Sequence, residues 1–174
     1  MQSILRLVLL VAIAPIILLQ GCDSTSNESL PNSGVSLCIN LYETCVDPIM
    51  HNTTSDGQSC SQNGCHNLPS GVPAAGFGLT PGAAMGSIEM MMNFNSVEAR
   101  TLNNNLLLTR ATGSGHPTGG ARFNTASLCY NAISEWRSIS APTDGSACSI
   151  APATIPSCTL IMANPAVNVA GCAP

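Results

Sequence analysis

The chain contains no lysine, and its five arginines stand against nine aspartates and glutamates, giving a formal net charge of −4 at pH 7. Binding to phosphate backbones needs clustered positive charge, so nucleic acid is excluded as a partner. Aromatic residues are equally scarce: Tyr42, Phe77, Phe94, Phe123, Tyr130 and Trp136 are all there are. Such side chains normally supply much of the apolar area that a small domain buries. A chain this poor in them requires another source of stability, either crosslinks or a large apolar cofactor. Histidine is limited to His51, His66 and His116, which narrows the search for metal ligands or acid–base groups to three positions.

The N-terminus does carry a long apolar run. Arg6 is followed by Leu7 to Leu19, long enough for the core of a signal peptide and short of the roughly 20 residues that a spanning helix needs. The run ends in Leu19-Gln20-Gly21-Cys22, which resembles the bacterial lipobox. That resemblance implies cleavage before Cys22 and lipid attachment to its sulfur, hence an envelope protein anchored to the inner or outer membrane and facing the periplasm or the cell surface. Residues 22–34 are polar and rich in Ser and Asn. They cannot bury enough apolar surface to fold and read as a tether. The expected organisation is a signal peptide (1–21), a lipidated tether (22–34), one folded domain (35–142) and a Cys-, Pro- and Ala-rich extension (143–174).

Nine cysteines in an exported chain indicate an oxidising compartment. With Cys22 assigned to lipid, and Cys60 and Cys65 considered separately, six remain: Cys38, Cys45, Cys129, Cys148, Cys158 and Cys172. An even remainder fits three disulfides. Leu37, Leu41 and Cys45, flanked by Cys38, Tyr42 and Ile49, recur at three- and four-residue spacing, so a helix is expected over roughly 35–47. Cys38 and Cys45 would then lie about 10.5 Å apart along its axis, beyond the about 7 Å that a disulfide tolerates between Cα atoms. Each must bond a cysteine elsewhere, and Cys129 is a candidate partner for one of them. A second amphipathic helix is expected over 125–138, where Ala126, Cys129, Tyr130, Ile133, Trp136 and Arg137 share that spacing. The extension shows no sustained periodicity and reads as irregular chain stapled to the domain by disulfides.

Cys60-Ser-Gln-Asn-Gly-Cys65-His66 carries the chemistry. Two cysteines followed at once by a histidine form the c-type haem signature, in which the sulfurs make thioethers to the porphyrin and the histidine ligates the iron. Here four residues separate the cysteines rather than two, a variant spacing that occurs among c-type cytochromes, and Gly64 helps the longer loop to close. Two other readings of the motif are a small-loop disulfide with His66 as a bystander, and a zinc site completed by a fourth ligand. The segments downstream are Leu106-Leu107-Leu108-Thr109-Arg110, then Gly113-Ser-Gly-His116-Pro-Thr-Gly119-Gly120. Last comes Tyr130-Asn-Ala-Ile133-Ser-Glu-Trp136, closing on Ile139-Ser-Ala-Pro142. In this order, over about residues 37–142, the chain resembles a group of bacterial monohaem c-type cytochrome domains.

The resemblance implies a mainly α, small cytochrome c-like domain around one covalently attached haem c, followed by the disulfide-stapled irregular extension. Leu41 and Tyr42 would cross against Tyr130 and Trp136, as the first and last helices of such domains do. Cys60 and Cys65 would hold the haem and His66 would be the proximal iron ligand. The distal ligand would be His116 on the Gly-rich loop, where the resembling group also places a histidine. Met85, Met90, Met91 and Met92 are the alternative, although methionines at helical spacing more often fill a core. His51 reads as a solvent-facing loop residue. Two histidines on the iron would leave no open position, so the expected function is electron transfer with redox partner proteins rather than catalysis. The rival reading is a disulfide-rich lipoprotein without haem, acting as a binding or assembly subunit. A sensor would instead require a displaceable distal ligand. Replacing Cys22 with Ser is expected to abolish incorporation of labelled fatty acid, and normal labelling of that variant would refute the lipid anchor.

Overall fold

The computed structural model describes residues 36–68, 77–113, 116, 120–141, 148 and 150–173. Cys22, the lipobox, the tether, most of the turns over 69–76 and the junction at Pro142 lie outside them. The described residues are mainly helical and contain no strand, only two isolated bridges, Leu37 with Ser140 and Asn67 with Leu79. None of their helices is long and apolar enough to cross a membrane.

The opening helix starts later and runs further than the expected 35–47. It comprises α1 (Ile39–Leu41), a π-helical turn (Tyr42–Val46) and α2 (Asp47–His51). Two residues account for the wide turn. Pro48 has no N–H to offer the Thr44 carbonyl, and its ring crowds that carbonyl. Thr44 in turn places its hydroxyl on the Asn40 carbonyl at 2.8 Å, competing with the ordinary helical bond there. One extra residue in the turn accommodates both, as π-bulges do. Leu41, Tyr42, Cys45, Val46, Ile49 and Met50 all face inward.

The next helices have legible ends. Ser87 caps α3 (Ile88–Leu102), accepting from the Met90 amide at 3.1 Å, and Ser127 caps α5 (Leu128–Arg137), accepting from the Tyr130 amide at 3.2 Å. Each cap satisfies an amide that the first turn would otherwise leave unbonded. Between them, Asn104 and Asn105 take left-handed backbone angles, φ 47° and 59°. Asparagine tolerates that conformation better than other non-glycine residues, and it breaks the chain sharply into α4 (Leu106–Ala111).

Half of the aromatic residues meet at one point. The Tyr42 ring lies 5.5 Å from Phe94 and 5.8 Å from Trp136, and Phe94 lies 6.3 Å from Trp136, all centroid to centroid. These tilted contacts suit the quadrupoles of the rings and join the opening helix, α3 and α5. The indole N–H of Trp136 donates to the Cys38 carbonyl at 2.9 Å. Tyr42 therefore does meet Trp136, while Leu41 is buried in the same core and Tyr130 is half-buried at its margin.

The C-terminal extension departs from expectation. It is helical: a 3-10 turn (Pro152–Thr154), α6 (Pro156–Ala163) and α7 (Pro165–Ala170). Pro156 and Pro165 each open a helix, where the missing N–H costs nothing. Helices of eight and six residues are too short to register as periodicity. Glu135 of α5 accepts from the Ser157 amide and hydroxyl, at 3.2 and 2.9 Å, and so caps α6. Ile155, Cys158, Ile161, Val169 and Cys172 are buried in the same core as the preceding helices.

Three disulfides complete the packing: Cys38–Cys148, Cys45–Cys158 and Cys129–Cys172, with Cα separations of 5.6, 5.1 and 5.7 Å. Cys38 and Cys45 are not bonded to each other, in keeping with their separation along the helix. Neither is joined to Cys129, which corrects the pairing considered above. All three bonds run from the domain to the extension, because residues two turns apart on one face can both be met by a second segment laid along it. Peptide mapping is expected to recover these three pairs. Replacing Cys45 and Cys158 together with Ala is expected to lower the unfolding free energy by about 2–4 kcal/mol in denaturant titration.

Candidate haem-attachment site

The Cys60–His66 loop is fixed to its surroundings from both sides. The Ser61 amide donates to the Met50 carbonyl at the end of α2, 3.1 Å away, and the Ser55 amide donates to Ala170 of α7 at 3.0 Å. Within the loop, the Cys65 amide closes on the Gln62 carbonyl at 3.2 Å, and Gly64 adopts φ 83°, the left-handed angle that glycine takes without strain. The Gln62 amide group reaches the Cys65 sulfur at 3.6 Å. Cys60 and Cys65 are both half-buried thiols that form no disulfide, whereas the six other described cysteines are paired. Burial pushes the Cys60 thiol up to about 11; the Arg122 charge opposes this and the neighbouring Cys65 adds to it.

His66 is held from the opposite direction by the segment 77–80. The Leu79 amide donates to the His66 carbonyl at 2.6 Å, and the Leu68 amide donates to the Leu79 carbonyl at 3.0 Å. The two short stretches pack closely at Gly78, where an added Cβ would come within 2.5 Å of the Leu68 side chain. This pairing brings the Phe77 carbonyl to 2.8 Å from His66 Nδ1. A carbonyl oxygen can only accept, so Nδ1 carries the proton and the lone pair of the ring resides on Nε2. The Phe77 ring packs edge-on against the imidazole with centroids 4.5 Å apart. Burial lowers the His66 pKa to about 4, the bond to Phe77 opposing that shift and His116 and Arg100 reinforcing it. At neutral pH the ring is uncharged and oriented, the state in which imidazole binds metals.

His116 comes to the same place from the other end of the chain. Beyond α4, the Gly113 amide donates to the Arg110 carbonyl at 3.0 Å, and the returning strand of the loop places the Arg122 and Phe123 amides on the Ala111 carbonyl at 2.6 and 3.0 Å. The neck of this loop is tight: Gly113 has φ 97°, and a Cβ there would sit 3.2 Å from that of Ala121. A side chain at 113 would therefore be strained by both backbone angle and contact, and glycine lets the loop close. Arg122 ties the neck to the other loop through Asp56, 2.9 Å away. The hydroxyl of Thr54 and this guanidinium hold the Asp56 carboxyl below its ordinary range.

The rings of His66 and His116 face each other with centroids 6.4 Å apart and planes at 72°. Two imidazoles on opposite sides of one metal ion would be separated by about 6.2 Å, from two metal–nitrogen bonds of about 2 Å and two ring radii of about 1.1 Å set by ring bonds of about 1.33 Å. Edge-to-face aromatic pairs also span 4.5–7 Å, so distance alone does not single out a metal. Metal-ligating histidines characteristically give their other N–H to a carbonyl or carboxylate, and His66 makes such a bond to Phe77, as buried neutral imidazoles in general must. Among the described residues no group of three or more His, Cys, Asp or Glu side chains is arranged to hold a metal ion. Two imidazoles and two thiols are also the donor set of structural zinc sites, but among the described residues they are not gathered into such a cluster.

The remaining candidates are placed differently from expectation. His51 is not a loop residue: it closes α2, is mostly buried and sits 3.1 Å from Asp47. Of the four methionines only Met90 fills the core, while Met85, Met91 and Met92 are 65, 46 and 49% exposed, positions unsuited to a buried iron. One contributor to the site had no sequence signal: the Phe77 carbonyl that meets His66 Nδ1 is a backbone group. Comparison with protein-family models, curated proteins and solved structures finds no match to the chain.

Proposed function

We propose that the chain is an electron-transfer lipoprotein of the cell envelope, carrying one covalent haem c on Cys60 and Cys65 with His66 and His116 on the iron. The observation that carries this reading is a neutral imidazole with its tautomer set by Phe77, facing a second imidazole across 6.4 Å, directly after two unpaired cysteines. When bound, haem supplies one-electron exchange at its iron, and the protein supplies ligands, burial and docking surface. Cys60 and Cys65 would hold the porphyrin edge through thioethers. His66 would ligate through Nε2, its donor strength raised by the Nδ1–H bond to Phe77. His116 would occupy the other face and leave no position for substrate, which favours electron transfer over catalysis and a comparatively low potential relative to methionine ligation.

Scarce positive charge on the chain suits small, transient encounters with redox partner proteins. The lipid on Cys22 would confine those encounters to a membrane surface. The rival is a haem-free lipoprotein in which the same disulfide-stapled helices serve as a binding or assembly subunit, and covalent haem separates the two.

Protein made in cells with cytochrome c maturation is expected to give a haem-staining band on denaturing gels, lost when Cys60 and Cys65 are both replaced with Ala. His116→Ala should keep the stained band but let carbon monoxide bind the ferrous form, whereas His66→Ala should impair attachment or retention. If His116→Ala leaves the spectrum unchanged, the distal assignment is wrong; rapid carbon monoxide binding by the unmodified protein would point instead to a sensor.

A further inference from the structure

Asn93 is a fully buried asparagine inside α3, about one and a half turns from its start and two and a half from its end. Its side chain makes a two-point clamp on the backbone of Thr80. Oδ1 accepts from the Thr80 amide at 2.7 Å, and Nδ2 donates to the Thr80 carbonyl at 2.9 Å. Asn93 Nδ2 also lies 3.3 Å from His51 Nε2, but that nitrogen donates to the Asp47 carboxylate at 3.1 Å and so does not accept from Asn93; the Thr80 backbone holds the amide. These partners settle the amide orientation: turned over, the oxygen would face the Thr80 carbonyl and the NH2 group would face the Thr80 N–H.

Thr80 is the last residue of the segment that presents the Phe77 carbonyl to His66. This segment belongs to no helix or sheet, and its pairing with the His66 stretch is an isolated bridge. A buried polar clamp is costly to leave half-made, so it holds the segment in one place. We propose that Asn93 is a positioning residue for the proximal ligand, fixing the Phe77 carbonyl so that the His66 Nδ1–H bond keeps its length and angle. The inference rests on His66 being the iron ligand. Groups that hydrogen-bond to a metal-bound histidine tune its basicity and the metal's properties. A weaker Nδ1–H bond makes His66 a poorer donor, which favours the ferrous over the ferric iron.

The test compares Asn93→Ser with Val97→Ala, one turn further along the same buried face of α3, in the full-length haem-loaded protein. Both substitutions should lower stability. Asn93→Ser alone should raise the reduction potential, by about threefold to tenfold in the reduction equilibrium, where tenfold is ~59 mV for one electron. It should also shift the paramagnetic NMR signals of the His66 ring, while Val97→Ala leaves both near those of the unmodified protein. Asn93→Leu, which keeps the branched shape but lacks both hydrogen bonds, should reproduce the shift if the serine variant fails to fold. An unchanged potential and spectrum in a folded Asn93 variant would overturn the proposal. So would failure of both Asn93 variants to retain haem where Val97→Ala retains it, since Asn93 would then serve folding alone. Absence of covalent haem from the unmodified protein would instead refute the haem reading, and is read separately by haem staining.

Discussion

Cys38 and Cys45 lie two turns apart on one face of the opening helix, and each is bonded to the C-terminal extension. This pair of staples is the constraint on which the remaining architecture depends. It lays α6 along the π-helical turn and brings Ile161 and Val169 into a core that six aromatic residues could not fill alone. Cys129–Cys172 then ties α5 to the end of the chain. Each closure removes freedom from the unfolded chain, an effect that grows with the length of chain enclosed; here the sequence separations are 110, 113 and 43 residues. Because the loops overlap, their contributions do not simply add.

The site inherits this rigidity. The attachment loop hangs from α2 through Ser61 and from α7 through Ser55, so the stapled extension supports the residues that precede Cys60. The two histidines arrive from opposite ends, His66 on a loop braced by the segment 77–80 and His116 on a loop closed at Gly113. Asp56 and Arg122 link the two supports directly. An arrangement in which each imidazole has an independent backbone brace limits how far either can move.

How much of this was legible beforehand depended on the kind of signal. The helix over 125–138 was readable because Cys129, Ile133 and Trp136 repeat at helical spacing, and it emerged as Leu128–Arg137. The opening helix was readable too, but its π-turn was not, because Pro48 and Thr44 act through carbonyls four residues away. The extension was misread as irregular because its helices are too short to repeat a pattern. The proximity of His66 and His116, 50 residues apart in sequence, could not be read from spacing or periodicity. The brace behind His66 was invisible, since it consists of the Phe77 carbonyl and a buried asparagine in a run of Met and Asn. Backbone groups leave no trace in residue identity, and a buried polar side chain looks like an exposed one until the packing is known.

Whether Cys60 and Cys65 carry haem is measured directly by the mass of the peptide that contains them. Full-length protein from cells with cytochrome c maturation would be reduced, alkylated and digested. The account predicts one haem on the peptide containing Cys60 to His66, with alkylation confined to the six cysteines of the three disulfides. Alkylation of both Cys60 and Cys65, with no haem mass on that peptide, would contradict it.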